Sequence, residues 1–160
     1  MRIERHATLI RVGLGYLTLQ VGLVAAAILI APRAFYDNFP AGPSAWVSVL
    51  PPYNEHLIRD FGSAGLGLAV VAGLAAVWRD RRLVQAACVA LFAGSLPHAV
   101  FHATETGASS TGDNVASLFA LFLQALLPLA LLWLATGERQ RPEPAAERPG
   151  EAAAAPRPAQ

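Results

Sequence analysis

Four long apolar runs, at about 12–31, 61–78, 83–101 and 115–135, carry no charged residue in their middles. A helix needs about 20 mostly apolar residues to cross the roughly 30 Å hydrocarbon core of a bilayer. A soluble helix needs a polar face, and none of these runs supplies one. The expected fold class is therefore all-α, an integral membrane four-helix bundle. The second run is the shortest, and extending it through 57–60 adds a turn. Residues 1–136 form the four-span domain. The remainder, 137–160, mixes Pro, Ala, Glu and Arg with five prolines and no aromatic residue. Such a segment buries too little apolar surface to offset chain entropy and reads as a disordered cytoplasmic tail. The first run follows a basic start, but at nearly 20 residues it exceeds the roughly 7–15 of a secretory h-region. It reads as a retained span.

Charge narrows the function classes. Only 14% of residues are charged and the formal net charge is +1, so nothing favours nucleic acid as a partner. The expected partner is the lipid bilayer, together with a homo-oligomer or membrane-complex contact. Cys88 is the single cysteine, which excludes an intrachain disulfide and a thiolate cluster built from one chain. All twelve basic residues are arginine, a usage that fits a GC-rich genome. Arg2, Arg5 and Arg11 precede the first run, Arg79, Arg81 and Arg82 fill the turn between the second and third, and Arg139, Arg141, Arg148 and Arg157 follow the fourth. Only Arg33 and Arg59 lie in the other connections. The positive-inside rule puts both termini and the 79–82 turn in the cytoplasm and turns 33–58 and 104–114 outward.

Polar side chains gather at the outward ends. An ionisable group near a span centre costs about 2.5–3.5 kcal/mol even on lenient scales, and here the centres are uncharged, with the amides Gln20 and Gln124 as their main polar residues. At about 100° per residue, His98 and His102 lie about 40° apart on one helix face, and Glu105 falls on the same face about 20° from His98. His-x3-His is the usual way for one helix to offer two imidazoles to one ion. Glu55 with Arg59 and His56 with Asp60 are i,i+4 pairs if a helix begins near Asn54, just after Pro51-Pro52. The short 79–82 turn sets the second and third spans side by side and antiparallel, bringing His56 level with His98. The candidate metal ligands are thus His98, His102 and His56, with Glu55, Asp60, Glu105 or Asp113 as carboxylate. Imidazole with carboxylate suits Zn, Fe, Cu or Ni, and a haem-like cofactor or a small lipophilic ligand fits the same cluster.

Blander roles stand beside these. Glu55–Arg59 is an interfacial salt bridge, and the histidine pair is either a ligand site or an interhelical hydrogen-bonding element. Tyr36, Trp46 and Tyr53 form an outer aromatic belt, with Trp78 and Trp133 at the inner boundary. The outward segment 33–53 is too apolar for a free loop. Asp37-Asn38 and Ala41-Gly42-Pro43 provide turns, and Ser44 is placed to cap a short interfacial helix at 45–50, a flap over the polar cluster.

The opening Leu9-Ile10-Arg11-Val12-Gly13-Leu14-Gly15-Tyr16, with Gly22 further on, resembles the first helix of DoxX-like membrane proteins, compact four-helix proteins of bacteria. The likeness covers one span and the hydropathy plan. It implies the four-helix architecture, a bacterial cell membrane and redox-associated work, and it transfers no catalytic residue. Templates for phosphate loops, serine hydrolases, zincins and dithiol redox centres are absent from the sequence. Two functions follow: a membrane protein binding a metal, cofactor or small ligand at its outer cluster, or a structural or accessory subunit without chemistry of its own. Whether a reaction occurs is left open by the residues.

The topology has a direct check. Cysteines at Ser44 and Ser109 should react with an impermeant thiol reagent on intact cells, and one at Ala153 should not. The opposite pattern reverses the orientation.

Overall fold

The computed structural model describes residues 3, 6–41, 44–50, 52–105 and 109–137. The tail beyond Gly137, the Gly42-Pro43 turn and Pro51 lie outside the described residues. The described residues form five helices and one minimal hairpin: α1 (Ala7–Ile30), α2 (Pro32–Asn38), β1 (Pro40–Ala41) paired antiparallel with β2 (Ser44–Ala45), α3 (Glu55–Trp78), α4 (Arg81–Thr104) and α5 (Thr111–Thr136).

α1, α3, α4 and α5 run 24, 24, 24 and 26 residues and are long and apolar enough to cross a membrane. At about 1.5 Å per residue each reaches at least 36 Å or so, beyond the hydrocarbon core. Every span is longer than its apolar run because polar residues add helical turns at the ends. Caps fix three of the starts. Asn54 accepts from the Leu57 N–H at 3.1 Å, Asp80 from Leu83 at 3.0 Å and Ser110 from Asp113 at 3.1 Å, each satisfying a backbone donor that the first turn leaves orphaned. The Leu83 N–H holds the Asp80 carboxyl below the ordinary carboxylate range. Arginines close two ends: Arg59 donates to the Leu29 carbonyl and Arg81 to that of Thr136, both at 3.0 Å.

Side-chain size is distributed in the manner of a membrane protein. α3 buries Gly62, Ala69, Ala72, Ala75 and Ala76 and turns Leu66, Val70, Val71, Leu74 and Val77 outward. In water this would expose the costly surface and bury the cheap one. In lipid, where apolar exposure costs nothing, small residues belong at helix contacts because they let backbones approach. The chain is a multi-pass membrane protein.

The helices form a ring in which α1 packs most extensively on α3 and α4 on α5, with lighter seams between α3 and α4 and between α1 and α5. Gly65, Ala69 and Gly73, at i, i+4 and i+8 on α3, form a small-residue ridge that meets α1 of the same chain. An added Cβ on Gly62 would stand 2.6 Å from Ile28 Cγ2, on Gly73 3.3 Å from Thr18, and on Gly22 3.5 Å from the Ala69 methyl. On this seam Gly62 is where a side chain would displace its neighbour, as Gly13 is on the α1–α5 side, where an added Cβ would stand 2.7 Å from Leu131. Near mid-span the lighter α1–α5 seam is bridged by Gln20, whose Nε2 donates to Gln124 Oε1 at 3.1 Å.

One expected element is absent. Residues 45–50 do not form a helix. Ser44 and Ala45 pair with β1, the Trp46 N–H bonds to the Phe39 carbonyl at 2.8 Å, and Leu50 closes a turn onto Val47 at 3.2 Å. Pairing holds the backbone of Ser44 and Ala45 extended where a helix at 45–50 would have to start. The short helix of this connection is instead α2, started by Pro32 in its first turn.

Ala69→Leu should destabilise the protein in detergent by about 1–3 kcal/mol through overfilling of the α1–α3 seam. Gly67→Ala, which meets nothing within 4 Å, should leave the melting temperature almost unchanged. Equal effects would place the ridge against lipid.

Candidate functional site at the loop end

The chemistry-bearing residues lie at the end of the bundle that carries the 31–54 connection and the α4–α5 turn. Their geometry follows from helix phase. On α4, His98 and His102 face the same way, ring centroids 4.7 Å apart and edge to face. His98 also contacts the Phe61 ring of α3 at 5.5 Å, and Phe101 contacts His102 at 5.5 Å. The expected pairing of the two imidazoles is present, and α3 lies alongside at the expected depth.

The remaining residues separate into local pairs. His56 Nε2 stands 3.5 Å from Asp60 Oδ2, with side chains 87% and 62% exposed. Phe61 is the α3 residue that meets His98. Five residues before it, His56 points about 140° away around the helix. Depth is shared, direction is not. Glu55 receives Arg59 at 2.9 Å and the Tyr53 hydroxyl at 3.3 Å, on the side of α3 where Arg59 reaches α1. Asp113 accepts from Ser110 at 2.7 Å and from the Trp46 indole N–H at 3.4 Å. Among the described residues no group of three His, Cys, Asp or Glu side chains is placed to hold one metal ion. The convergence of His98, His102 and His56 with a carboxylate from Glu55, Asp60, Glu105 or Asp113 is therefore not found in this arrangement.

What does converge is a cleft between the ends of α4 and α5, lined by His102, Glu105, Ser109, Asn114 and Ser117 and roofed by Trp46, Val49 and Leu50. Its void is about 10 Å³, room for one water-sized group. The 46–50 turn thus occupies the flap position expected of this segment, as a turn in place of a helix. Trp46 is held on two sides, by the Asp113 bond and by the Phe39 ring at 6.0 Å in an edge contact. Asn114 belongs to the polar residues that open the fourth span in the sequence, whereas nothing in the sequence singles out Ser117 or the Trp46–Asp113 link. Asn114 and Ser117 are three apart on the first turns of α5, which puts them on one face.

A second aromatic group supports the roof from the side. The Tyr36 and Tyr53 rings meet at 5.1 Å, and the Arg33 guanidinium lies 4.9 Å from the Tyr53 centroid while pairing with Asp37 at 2.7 Å. That pairing raises the Arg33 pKa further, and desolvation followed by the Glu55 carboxylate pushes the Tyr53 hydroxyl up. Arg33 keeps its charge and Tyr53 its proton at neutral pH, so the group acts as a fixed belt. No protein-family model, curated protein or solved structure matches the chain.

If the Trp46 roof closes the cleft, a Ser117→Cys thiol should react slowly with a water-soluble reagent and several-fold faster when Trp46→Ala is added. Equal rates would show that the turn does not gate access.

Proposed function

We propose that this four-span membrane protein binds the polar end of a small lipid-soluble molecule in the cleft beneath the 46–50 turn. One observation carries the reading: His102, Glu105, Asn114 and Ser117 line one roofed void against apolar Leu50 and Leu118. Imidazole, carboxamide and hydroxyl groups can donate to a carbonyl or hydroxyl oxygen, and the carboxylate accepts from a hydroxyl. A void of this size takes one such atom, and a bulkier head enters when the turn lifts. The arginine distribution turns this end away from the cytoplasm. His98 stands behind His102 and positions its ring through their edge contact.

Two imidazoles in register also suit a metal ion, with Glu105 just past the end of α4. The structural alternative draws on the ring contacts of His98, which fasten α4 to α3. One set of measurements separates the three. Detergent-purified protein is analysed by mass spectrometry for co-purified small molecules, by elemental analysis for metal and by visible spectroscopy for a chromophore. The binding reading expects an organic molecule lost in His102→Ala and Glu105→Gln while helicity is kept. A stoichiometric metal lost in His98→Ala and His102→Ala would replace it with the metal reading. A protein free of both, with thermal stability insensitive to His102→Ala and Glu105→Gln, would leave the accessory role.

A further inference from the structure

The opposite end of the bundle carries two guanidiniums that the fold does not use. Arg11 projects from the second turn of α1, and Arg79 ends α3 in a left-handed conformation at φ 56°. Both line one open cleft of about 420 Å³ with Ala7, Thr8 and Val12. Neighbouring charges are engaged elsewhere: Asp80 caps α4, and Arg81 closes the end of α5. Neither Arg11 nor Arg79 makes a side-chain hydrogen bond or ion pair with a described residue, although both stand where the spans leave the apolar layer. The arginine fork matches phosphate geometry, taking two oxygens at once, and Thr8 adds a hydroxyl donor on the same wall.

A second observation points to the rest of the ligand. Below the cleft, the exposed face of α1 continues as Val12, Tyr16, Leu19 and Leu23, respectively 65%, 45%, 65% and 68% exposed. The spacing of four, three and four residues keeps them on one stripe. Gly15 borders it with nothing within 4 Å of an added Cβ, leaving a notch the width of a missing side chain. A charged cleft at headgroup depth thus opens onto a grooved apolar strip running into the bilayer. Exposed Trp78, next to Arg79, marks the boundary between them.

We infer that Arg11, Arg79 and Thr8 form a binding site for the phosphate of an anionic phospholipid, whose acyl chain lies along the Val12–Leu23 face of α1. Free phosphate offers the same headgroup chemistry. The apolar strip selects the lipid, because an inorganic ion gains nothing from it. Basic clefts between spans on the cytoplasmic side are suited to such headgroups.

Native mass spectrometry of the full chain, released from mixed phosphatidylglycerol and phosphatidylcholine micelles, tests this. Wild-type protein should retain phosphatidylglycerol over phosphatidylcholine, and the Arg11→Gln, Arg79→Gln double variant should lose that preference by about tenfold or more. Arg82→Gln, at an exposed arginine outside the cleft, should keep it. Arg11→Gln alone, at an exposed residue with no side-chain partner among the described residues, should reduce the preference in a protein whose helicity and melting temperature are unchanged. Equal retention of the two lipids, or an unaltered preference in Arg11→Gln, overturns the site. Displacement of the lipid by millimolar inorganic phosphate would overturn the lipid assignment in favour of a soluble anion.

Discussion

Close approach of α1 and α3 is the contact on which the rest of the bundle depends. The backbones meet through Gly22 against Ala69, Gly65 against Ala25 and Gly73 against Thr18. Lipid offers no hydrophobic drive for helices to associate, so packing and hydrogen bonds must supply it. A seam of hydrogens and methyl groups gives the densest contact available to two helices. It also sets rotation, because α3 has one small face and must turn it to α1. Its aliphatic side chains then point to lipid, and its first turn delivers Arg59 to the free carbonyl of Leu29.

That rotation decides how the polar chemistry at the loop end divides. With Ala69 and Ala72 facing inward and Phe61 against His98, His56 and Asp60 have nowhere to point but outward. The His102 imidazole looks instead toward α5, where Asn114 and Ser117 line the same cleft under Trp46, while His98 keeps its contact with Phe61 of α3. The two ends of the bundle thereby differ in kind. One encloses a small roofed polar void. The other presents, in an open cleft, the Arg11 and Arg79 guanidiniums, which no described residue engages.

Much of this was legible in the sequence. The bilayer permits so few solutions that uncharged runs near 20 residues identified all four spans, and Asn54 as the start of α3 was readable from its neighbours. Span ends were underestimated, because helix continues through polar turns wherever a cap satisfies the first N–H groups, as at Asp80 and Ser110. The shared depth of His56 and His98 followed from the 79–82 turn. Direction did not, because i,i+4 spacing fixes residues relative to their own helix and says nothing of its rotation against a neighbour. The 45–50 segment misled for a related reason: its apolar content fits a helix or a hairpin arm equally, and the Phe39–Trp46 bond that chooses between them comes from outside the segment.

Selective labelling of the histidines with nitrogen-15 would test the division of the loop end most directly. The chain has 4 histidines, so each ring signal can be assigned by substitution. During titration of purified protein in nanodiscs with a lipid-soluble extract of the host membrane, the His102 signals should shift first. His98 should follow through ring contact, and His56 and His6 should stay unchanged. Simultaneous shifts of His56, His98 and His102 on binding a single ligand or added zinc ion would contradict the account, because they would require the three imidazoles to share one site.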